Sequence, residues 1–499
     1  MVSVQALKAQ GGKVEVLSLD KLSYMKINGE RVRVLVGNVA FRKDNVVFTC
    51  DSAIQFIDQE RIRAFSNVKF NQGDTLILTG DELDFDDERD MALVKGKEVR
   101  MTDGKMRLRT TALHYDMANQ LAYYTDSAHI TDGDNVLTSI KGYYYAATKD
   151  MYFKKRVRLT NPDHRIATDT LRYNVGTENS YFKGPSHIHT ADGQYLYCEN
   201  GTFYGRGNEV RLGRNSRLID GSQELVGDSL YFNNTTGMGL ALKRARLTDT
   251  AQGLVVEGNR AVYNRDEDWY LITDSLLMLQ YNEQGDSVYL SSDTLRLIYD
   301  TAHKQRVALA YHHVRFYEHA YQGVCDSMVY CQADSSVSYH GHPVVWLDSF
   351  QITCDFILGH TDGHGLKQVA LQGAALMGQR LALGLYDQIS GDSMTAYFDK
   401  GELRRVQVHD KAKAIYHVMD GDTALVGANE VGAASAQILF GAKGIRKLSF
   451  VGQGEALVTP AKDVDPSAMR LSGFEWKGRL RPRQPSHVFW LPSMAIPVD

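Results

Sequence analysis

The stretch Leu218–Phe232, LIDGSQELVGDSLYF, holds a turn dipeptide, Asp220-Gly221, and then a strand ending in the alternation Leu230-x-Phe232. Asp-Gly supplies the positive φ that tight hairpin turns require. Alternation with period 2 belongs to a half-buried strand. The same stretch recurs as Gly80-Asp81-Glu82-Leu83-Asp84-Phe85, Thr168-Asp169-Thr170-Leu171-Arg172-Tyr173 and Ser292-Asp293-Thr294-Leu295-Arg296-Leu297. Anchors on the first apolar residue of the alternation fall at Ala53, Leu83, Leu113, Gly142, Leu171, Gly201, Leu230, Ala261, Leu295, Met328, Phe356 and Met394. Their spacing is 28 to 38 residues and widens toward the C-terminus. A sustained period of this length marks a repeat array, here about twelve units of ~30 residues.

Each unit has a second half, an alternating run with a break at its middle. Examples are Arg61–Phe70 (RIRAFSNVKF), Leu93–Met101, Tyr152–Leu159, Tyr181–Ile188 (YFKGPSHI) and Val307–Phe316 (VALAYHHVRF). Gly, Asn or Pro inside a strand pattern reads as a bend or bulge. Asp103-Gly104, Asp132-Gly133 and Asp192-Gly193 sit where Asp220-Gly221 does, so consecutive strands are antiparallel. A flat sheet of this size would expose one apolar face. Strands that fold at their centres close the sheet over itself. Leu83/Phe85, Leu113/Tyr115, Leu171/Tyr173, Leu230/Phe232, Val68/Phe70, Val99/Met101, Val157/Leu159, Val314/Phe316 and Val344/Trp346 then face inward, and Arg100, Arg158, Arg172, Arg296 and Arg315 face solvent.

The chain has 499 residues, 43% apolar and 23% charged, with a net charge of −4 that suggests no nucleic-acid partner. The 27 Tyr against 4 Trp favour strands. Of 9 Pro, only Pro162, Pro185 and Pro343 precede residue 460. Pro is excluded from sheet interiors, so the reading is a lead-in over 1–29, the repeat sheet over 30–460 and a Pro-rich tail over 461–499. No apolar run reaches the ~18–20 residues of a membrane span. The start MVSVQALKAQGG lacks a basic-then-apolar signal peptide, which leaves a cytoplasmic protein or a processed form.

The five cysteines exclude a complete disulfide framework. Cys50, Cys198, Cys325 and Cys354 each precede the motif acid and share a column whose copies lie two strands apart, roughly 9.6 Å, beyond the ~7 Å limit for a bridge. Free, buried thiols are expected. The recurrent acids (Asp51, Asp81, Asp169, Asp228, Asp293, Asp326, Asp355, Asp392) lack the Gly-Gly-x-Gly-x-Asp context of a calcium ladder and read as carboxylates bonded to backbone amides. His187-x-His189, His340-x-His342 and His360-x3-His364 have no third ligand at a fixed offset. Nucleophile elbows and phosphate loops are absent from the sequence, so neither cofactor nor metal is expected.

The run Val36-Gly37-Asn38-Val39 to Asp51-Ser52-Ala53, followed by Ala64-x-x-Asn67-Val68 and Gly80-Asp81-x-Leu83-x-Phe85-Asp86, resembles the OstA-like/LptA-like domain family. The resemblance extends over about residues 30–460. Leu403–Val406, Ala414–Tyr416 and Gly444–Leu448 are similar to the closing part of long Bacteroidetes-type members. It implies an all-β fold, an elongated antiparallel V-shaped β-jellyroll. It further implies a non-enzymatic periplasmic carrier or bridge for lipopolysaccharide, holding lipid A acyl chains in an apolar groove on the way to the outer membrane. The implied lining is Phe70, Leu83, Phe85, Leu113, Tyr115, Leu171, Tyr173, Leu230, Phe232, Leu295, Leu297, Val314 and Phe316. The implied partners are lipopolysaccharide, the inner- and outer-membrane transport components, and further copies joined head to tail through edge strands. Two rivals stand beside this reading: a lipid-free β-solenoid scaffold, and a glycan-acting parallel β-helix enzyme with 20–25-residue coils.

Overall fold

The computed structural model describes residues 14–73, 76–205, 209–281, 287–300, 305–362, 365–420, 424–441 and 444–489. They fall into two compact units, one within residues 14–221 and 229–235, the other within 222–228 and 236–489. In each, strands follow one another in antiparallel hairpins, as the sequence predicts. In unit 1, Arg61–Gln72 pairs with Leu76–Asp86, which pairs with Met91–Asp103, which pairs with Met106–Asp116. In unit 2, Leu254–Asn264, Trp269–Tyr281, Ser287–Asp300, Gln305–Tyr317 and Tyr321–Cys331 do the same. A parallel β-helix is thereby excluded. Among the described residues the only helical pieces are short 3-10 turns, three of the four in the tail.

The mid-strand breaks are creases. At each, two adjacent residues take left-handed φ and the register shifts: Ser66-Asn67, Lys155-Arg156, Arg214-Asn215, Lys243-Arg244, Asp274-Ser275 and His312-His313. Such a bulge bends the strand. Side chains on the concave side then face each other across two arms. Phe48, Phe70, Leu83, Phe85, Val94, Val99, Met101, Leu113 and Tyr115 are all but fully buried. Each such side chain contributes roughly 1.5–3 kcal/mol as an upper estimate.

At the crease, small donors on the concave side bond backbone carbonyls two residues away in the same strand segment. Ser139 Oγ donates to Lys141 O (3.0 Å), Ser186 Oγ to Gly184 O (2.9 Å) and Ser292 Oγ to Thr294 O (3.0 Å). Cys325 Sγ donates to Ser327 O (3.4 Å) and Cys354 Sγ to Phe356 O (3.3 Å). The column of cysteines is thus one where Ser and Cys exchange. All five thiols are free, four of them buried.

The motif acids depart from expectation. They lie over the crease of a neighbouring strand and engage mostly its side chains, not turn amides. Asp51 accepts from Asn67 Nδ2 (2.8 Å) and Glu199 from Asn215 Nδ2 (2.7 Å), while Arg244 pairs with Asp228 and Lys411 Nζ with Asp392 (2.9 Å). In unit 2 the partner is often histidine, as in His312–Asp326 (3.1 Å), His313–Asp293 (2.8 Å) and His342–Asp355 (3.2 Å). Asp81, which accepts from Lys97 N–H (2.8 Å), is the backbone case.

The turns at the two ends of the strands differ. At one end a two-residue turn opens on a left-handed glycine, as at Gly104 and Gly221 (φ +61° and +56°). At the other end a four-residue turn follows Asp86, Asp116, Asn174 and Asn264, and its last residue is left-handed: Asp90, Gln120, Glu178 and Asp268. The side chain before the loop accepts a loop amide, as Asp86 does from Arg89 N–H and Asn174 from Thr177 N–H. This Asx turn reads in sequence as an Asp or Asn directly after the motif aromatic.

Two inward assignments are corrected. Trp346 is opposite Gln322 and Gln351, and its neighbours Val345 and Leu347 line the interior, so Val344 and Trp346 lie on the convex face. Trp346 is nonetheless fully buried. The tail, running back from the last strand Glu455–Pro460, covers it. Gln388 Nε2 donates to Met469 O (3.0 Å) and Gln388 Oε1 accepts from Leu471 N–H (2.8 Å). Gln351 does the same with Glu475 O (2.8 Å) and Lys477 N–H (2.7 Å), and Gln322 Oε1 accepts from the Arg481 guanidinium. Arg315, expected in solvent, is half-buried under the same segment and donates to His487 O (3.3 Å) and Leu480 O (3.2 Å).

Crease geometry makes a test. A Cβ at Gly341 (φ +75°) would stand 2.5 Å from Asp326 Cβ, whereas one at Gly104 meets nothing within 4 Å. Gly104→Ala is expected to cost only the left-handed penalty, about 1–2 kcal/mol. Gly341→Ala should cost at least ~1 kcal/mol more, since Asp326 must move. Equal shifts in urea midpoint would refute the close approach.

Candidate lipid groove

The concave faces differ between the units. In unit 1 the predicted lining residues Phe70, Leu83, Phe85, Leu113, Tyr115, Leu171 and Tyr173 come together, but in a sealed core. Phe48 meets Phe85 (centroids 5.5 Å) and Phe70 meets Tyr115 (5.4 Å) across the fold. Leu230 is buried and Phe232 half-buried.

The rims of unit 1 are latched. The Tyr115 hydroxyl donates to Gln72, Tyr144 to Asp103 (2.5 Å) and Tyr173 to Asp132 (2.8 Å), each joining one arm to the other. The nearly buried Lys43 ammonium reaches Asp87 and Asp90 and lies over the Phe85 ring. Burial alone would lower the Lys43 pKa, but the two carboxylates outweigh it and hold it above the ordinary value. Burial pushes Tyr115 up to about 12, and burial with Asp103 pushes Tyr144 higher still. These latches escaped the sequence reading. Their signal is a Tyr in the third motif position with Asp or Gln 41 to 43 residues earlier.

In unit 2 the arms part. A cavity of about 270 Å³ lies between them, just under the ~300–1,000 Å³ usual for small-molecule sites. One arm supplies Leu254, Met278, Val288, Leu290 and Phe316, the other Tyr270, Leu295, Leu297, Ala308, Ala310, Met328 and Val337. Of the predicted residues, Leu295, Leu297 and Phe316 line it, and Val314 is buried next to it toward the crease. At its mouth stand Gln252, Asp268, Gln280, Tyr299, Arg306 and Gln332. Arg306 is 3.8 Å from Asp268. Tyr321 and Tyr339 continue the lining into a smaller apolar space bounded by Val345, Ile352, Ile357, Met377 and Val406.

Among the described residues other chemistry does not assemble. Burial pushes the Cys50 thiol up to about 11 and those of Cys198, Cys325 and Cys354 to about 12, the reverse of an activated thiolate. His187 and His189 are exposed and contact Tyr195. His340 meets Ser338 (2.9 Å) and His342 meets Asp355. His364 lies outside the described residues. Among the described residues no three His, Cys, Asp or Glu side chains form a metal-ligating group.

The creased sheet and its apolar interior can be set beside known proteins. Residues 11–169 match the model of the OstA-like protein family. No curated protein matches the chain. Among solved structures it is similar to the crystal structure of LptH, the LptA homologous periplasmic component of the conserved lipopolysaccharide transport device from Pseudomonas aeruginosa. The identity is 18%, over 28% of this chain and 95% of that one, with a TM-score of 0.21. The OstA-like segment falls in unit 1 and includes the latches of Tyr115 and Tyr144, while the cavity lies beyond it.

The latches predict alkaline sensitivity. Folded pKa values of Tyr115, Tyr144 and Lys43 are raised, so the stability they confer is complete below the unfolded values near 10. It is lost as pH climbs from there toward the folded values. The unit 1 melting temperature should fall above pH ~10, and the triple variant Y115F/Y144F/Y173F should be less stable at neutral pH but lose less on alkalinisation. Removing Tyr144 alone leaves buried Asp103 without its hydroxyl, a cost of about 1–3 kcal/mol. Identical pH profiles for the two proteins would refute the latch.

Proposed function

We propose that this chain is a non-enzymatic periplasmic carrier of lipopolysaccharide, on the route to the outer membrane, that shelters lipid A acyl chains between its arms. The observation that supports this best is the open cavity of unit 2, apolar within and polar at the mouth. Each CH₂ it takes from water contributes ~0.8 kcal/mol, while Arg306 and the amides at the mouth suit a polar headgroup. The OstA-like match over residues 11–169 agrees with this reading. Its partners are lipopolysaccharide and the inner- and outer-membrane transport components. Further copies would add head to tail through terminal strands, whose Leu22, Tyr24 and Met25 in unit 1 and Val451, Leu457 and Val458 in unit 2 are exposed.

The sealed core of unit 1 favours a second reading for that part, a lipid-free scaffold whose latches must part before anything enters. Photocrosslinking separates the two. A photoreactive residue at Leu297 or Phe316 should capture lipopolysaccharide in cells, and one at Phe85 should capture far less. Loss of one lining side chain that unshelters about one CH₂ of lipid should reduce capture only about fourfold, the equivalent of ~0.8 kcal/mol. Leu254→Asp, Leu297→Asp and Ala308→Asp together should abolish it. No adduct at Leu297 and Phe316, with the protein folded, would leave only the scaffold.

A further inference from the structure

We infer that the convex face of unit 1, on the arm that ends in the two-residue turns, is a docking strip for an extended acidic polysaccharide. The strip is read from strand register. Lys69 lies opposite Thr79, Thr79 opposite Arg100, Arg100 opposite Arg109, Arg109 opposite His129, His129 opposite Thr138 and Thr138 opposite Arg158. This is one straight row across the strands, about 30 Å from Lys69 to Arg158 at ~4.8 Å per strand. Arg107 and Arg165 flank it, each two residues or one strand position nearer the turns. All six cations are exposed, while the alternate residues Val68, Val99, Leu108, Val157 and Ile166 are buried on the concave side.

The row is electrostatically costly. Like charges directly opposite on neighbouring strands destabilise a sheet, and Arg100 opposes Arg109 with Glu98 shared between them. The remainder of the row adds further positive charge in a chain whose net charge is −4. Segregated charge of this kind focuses a field on one face.

Its form selects the partner. Guanidinium forks match carboxylates bidentately, and a straight row on a rigid sheet matches a linear polymer that repeats its charge. Residues between the cations are Thr79, His129 and Thr138, with Ala167 next to Arg158, not the Trp, Phe or Leu that insert into a lipid interface. Nor are Tyr, Phe or Trp rings interleaved along the row as a series of stacking platforms for single-stranded nucleic acid; His129 is the one ring within it, and Tyr195 and Tyr197 stand at one end only. An acidic glycan needs neither.

The test uses the full chain and four probes: a polygalacturonate oligomer, neutral dextran, oligothymidylate and phosphatidylglycerol vesicles. Polygalacturonate should bind at low salt and be released as salt screens the contacts, and dextran should not bind. R100Q/R109Q/R158Q/R165Q should weaken polygalacturonate at least ~10-fold without lowering the melting temperature, since the charges act together as a field and oppose one another across the sheet. Removal of four cations elsewhere (Lys26, Arg296, Lys367 and Lys413) should leave it unchanged. Should the quadruple variant not fold, R158Q/R165Q should still weaken binding by roughly threefold on the same grounds. The inference is overturned if nothing binds, if both quadruple variants behave alike, or if oligothymidylate or the vesicles bind more tightly than polygalacturonate.

Discussion

The crease is what the remaining structure depends on. An extended antiparallel sheet with one apolar face has nothing to bury that face against. Two successive left-handed residues in the middle of a strand provide the partner by turning the sheet onto itself. Each such residue carries about 1–2 kcal/mol of steric cost outside glycine, yet Lys155-Arg156 and His312-His313 adopt it. What holds them there is local and repeated. A carboxylate from the neighbouring strand lies over the bend, as Asp228 does at Arg244 and Asp326 at His312. A Ser or Cys on the inner side bonds a backbone carbonyl two residues away, across the bend. The acid and the small donor both serve the crease, and this accounts for their recurrence without a metal or a nucleophile.

Whether the fold is shut or open is then a question of side-chain volume summed over two facing arms. In unit 1 the facing positions are large and meet: Phe48 reaches Phe85, and Phe70 reaches Tyr115. The tyrosines extend past the contact to bond the opposite rim. In the cavity of unit 2 the corresponding positions include Val288, Ala308, Ala310 and Val337, and the arms no longer meet across the whole width. A repeat can therefore keep its backbone and vary its interior from packed core to groove by trading Phe and Tyr for Ala and Val.

This explains what was legible in the sequence. The ~30-residue period, the alternation and the Asp-Gly turns are local signals, and they gave the antiparallel creased sheet and most of its inward residues. The distinction between sealed core and cavity is not local: Leu171 and Leu295 read alike, and only the residues they face across the fold differ. The latches pair residues more than forty positions apart, so a search confined to one unit passes over them. The inward reading of Val344 and Trp346 failed because alternation gives two faces without saying which is concave. Here the tail supplies the apolar partner that makes a convex position look like core. Buried Gln322, Gln351 and Gln388 were the available hint, since three uncharged amides at one height on alternate strands can hold a length of backbone that belongs to no sheet.

The two faces of one strand are constrained independently, which lets a single repeat serve two kinds of contact. Period-2 alternation sends Leu108 inward and its neighbours Arg107 and Arg109 outward. Substitution at the outer pair leaves the interior volume untouched, and substitution at Leu108 leaves the surface field untouched. In a globular domain a charged row of this length would have to be assembled from several loops. In a creased sheet it follows from register alone, because each strand places one residue at the same height. The regularity that makes an apolar interior continuous on the concave side makes a row of cations continuous on the convex side, and the sequence at alternate positions decides each separately.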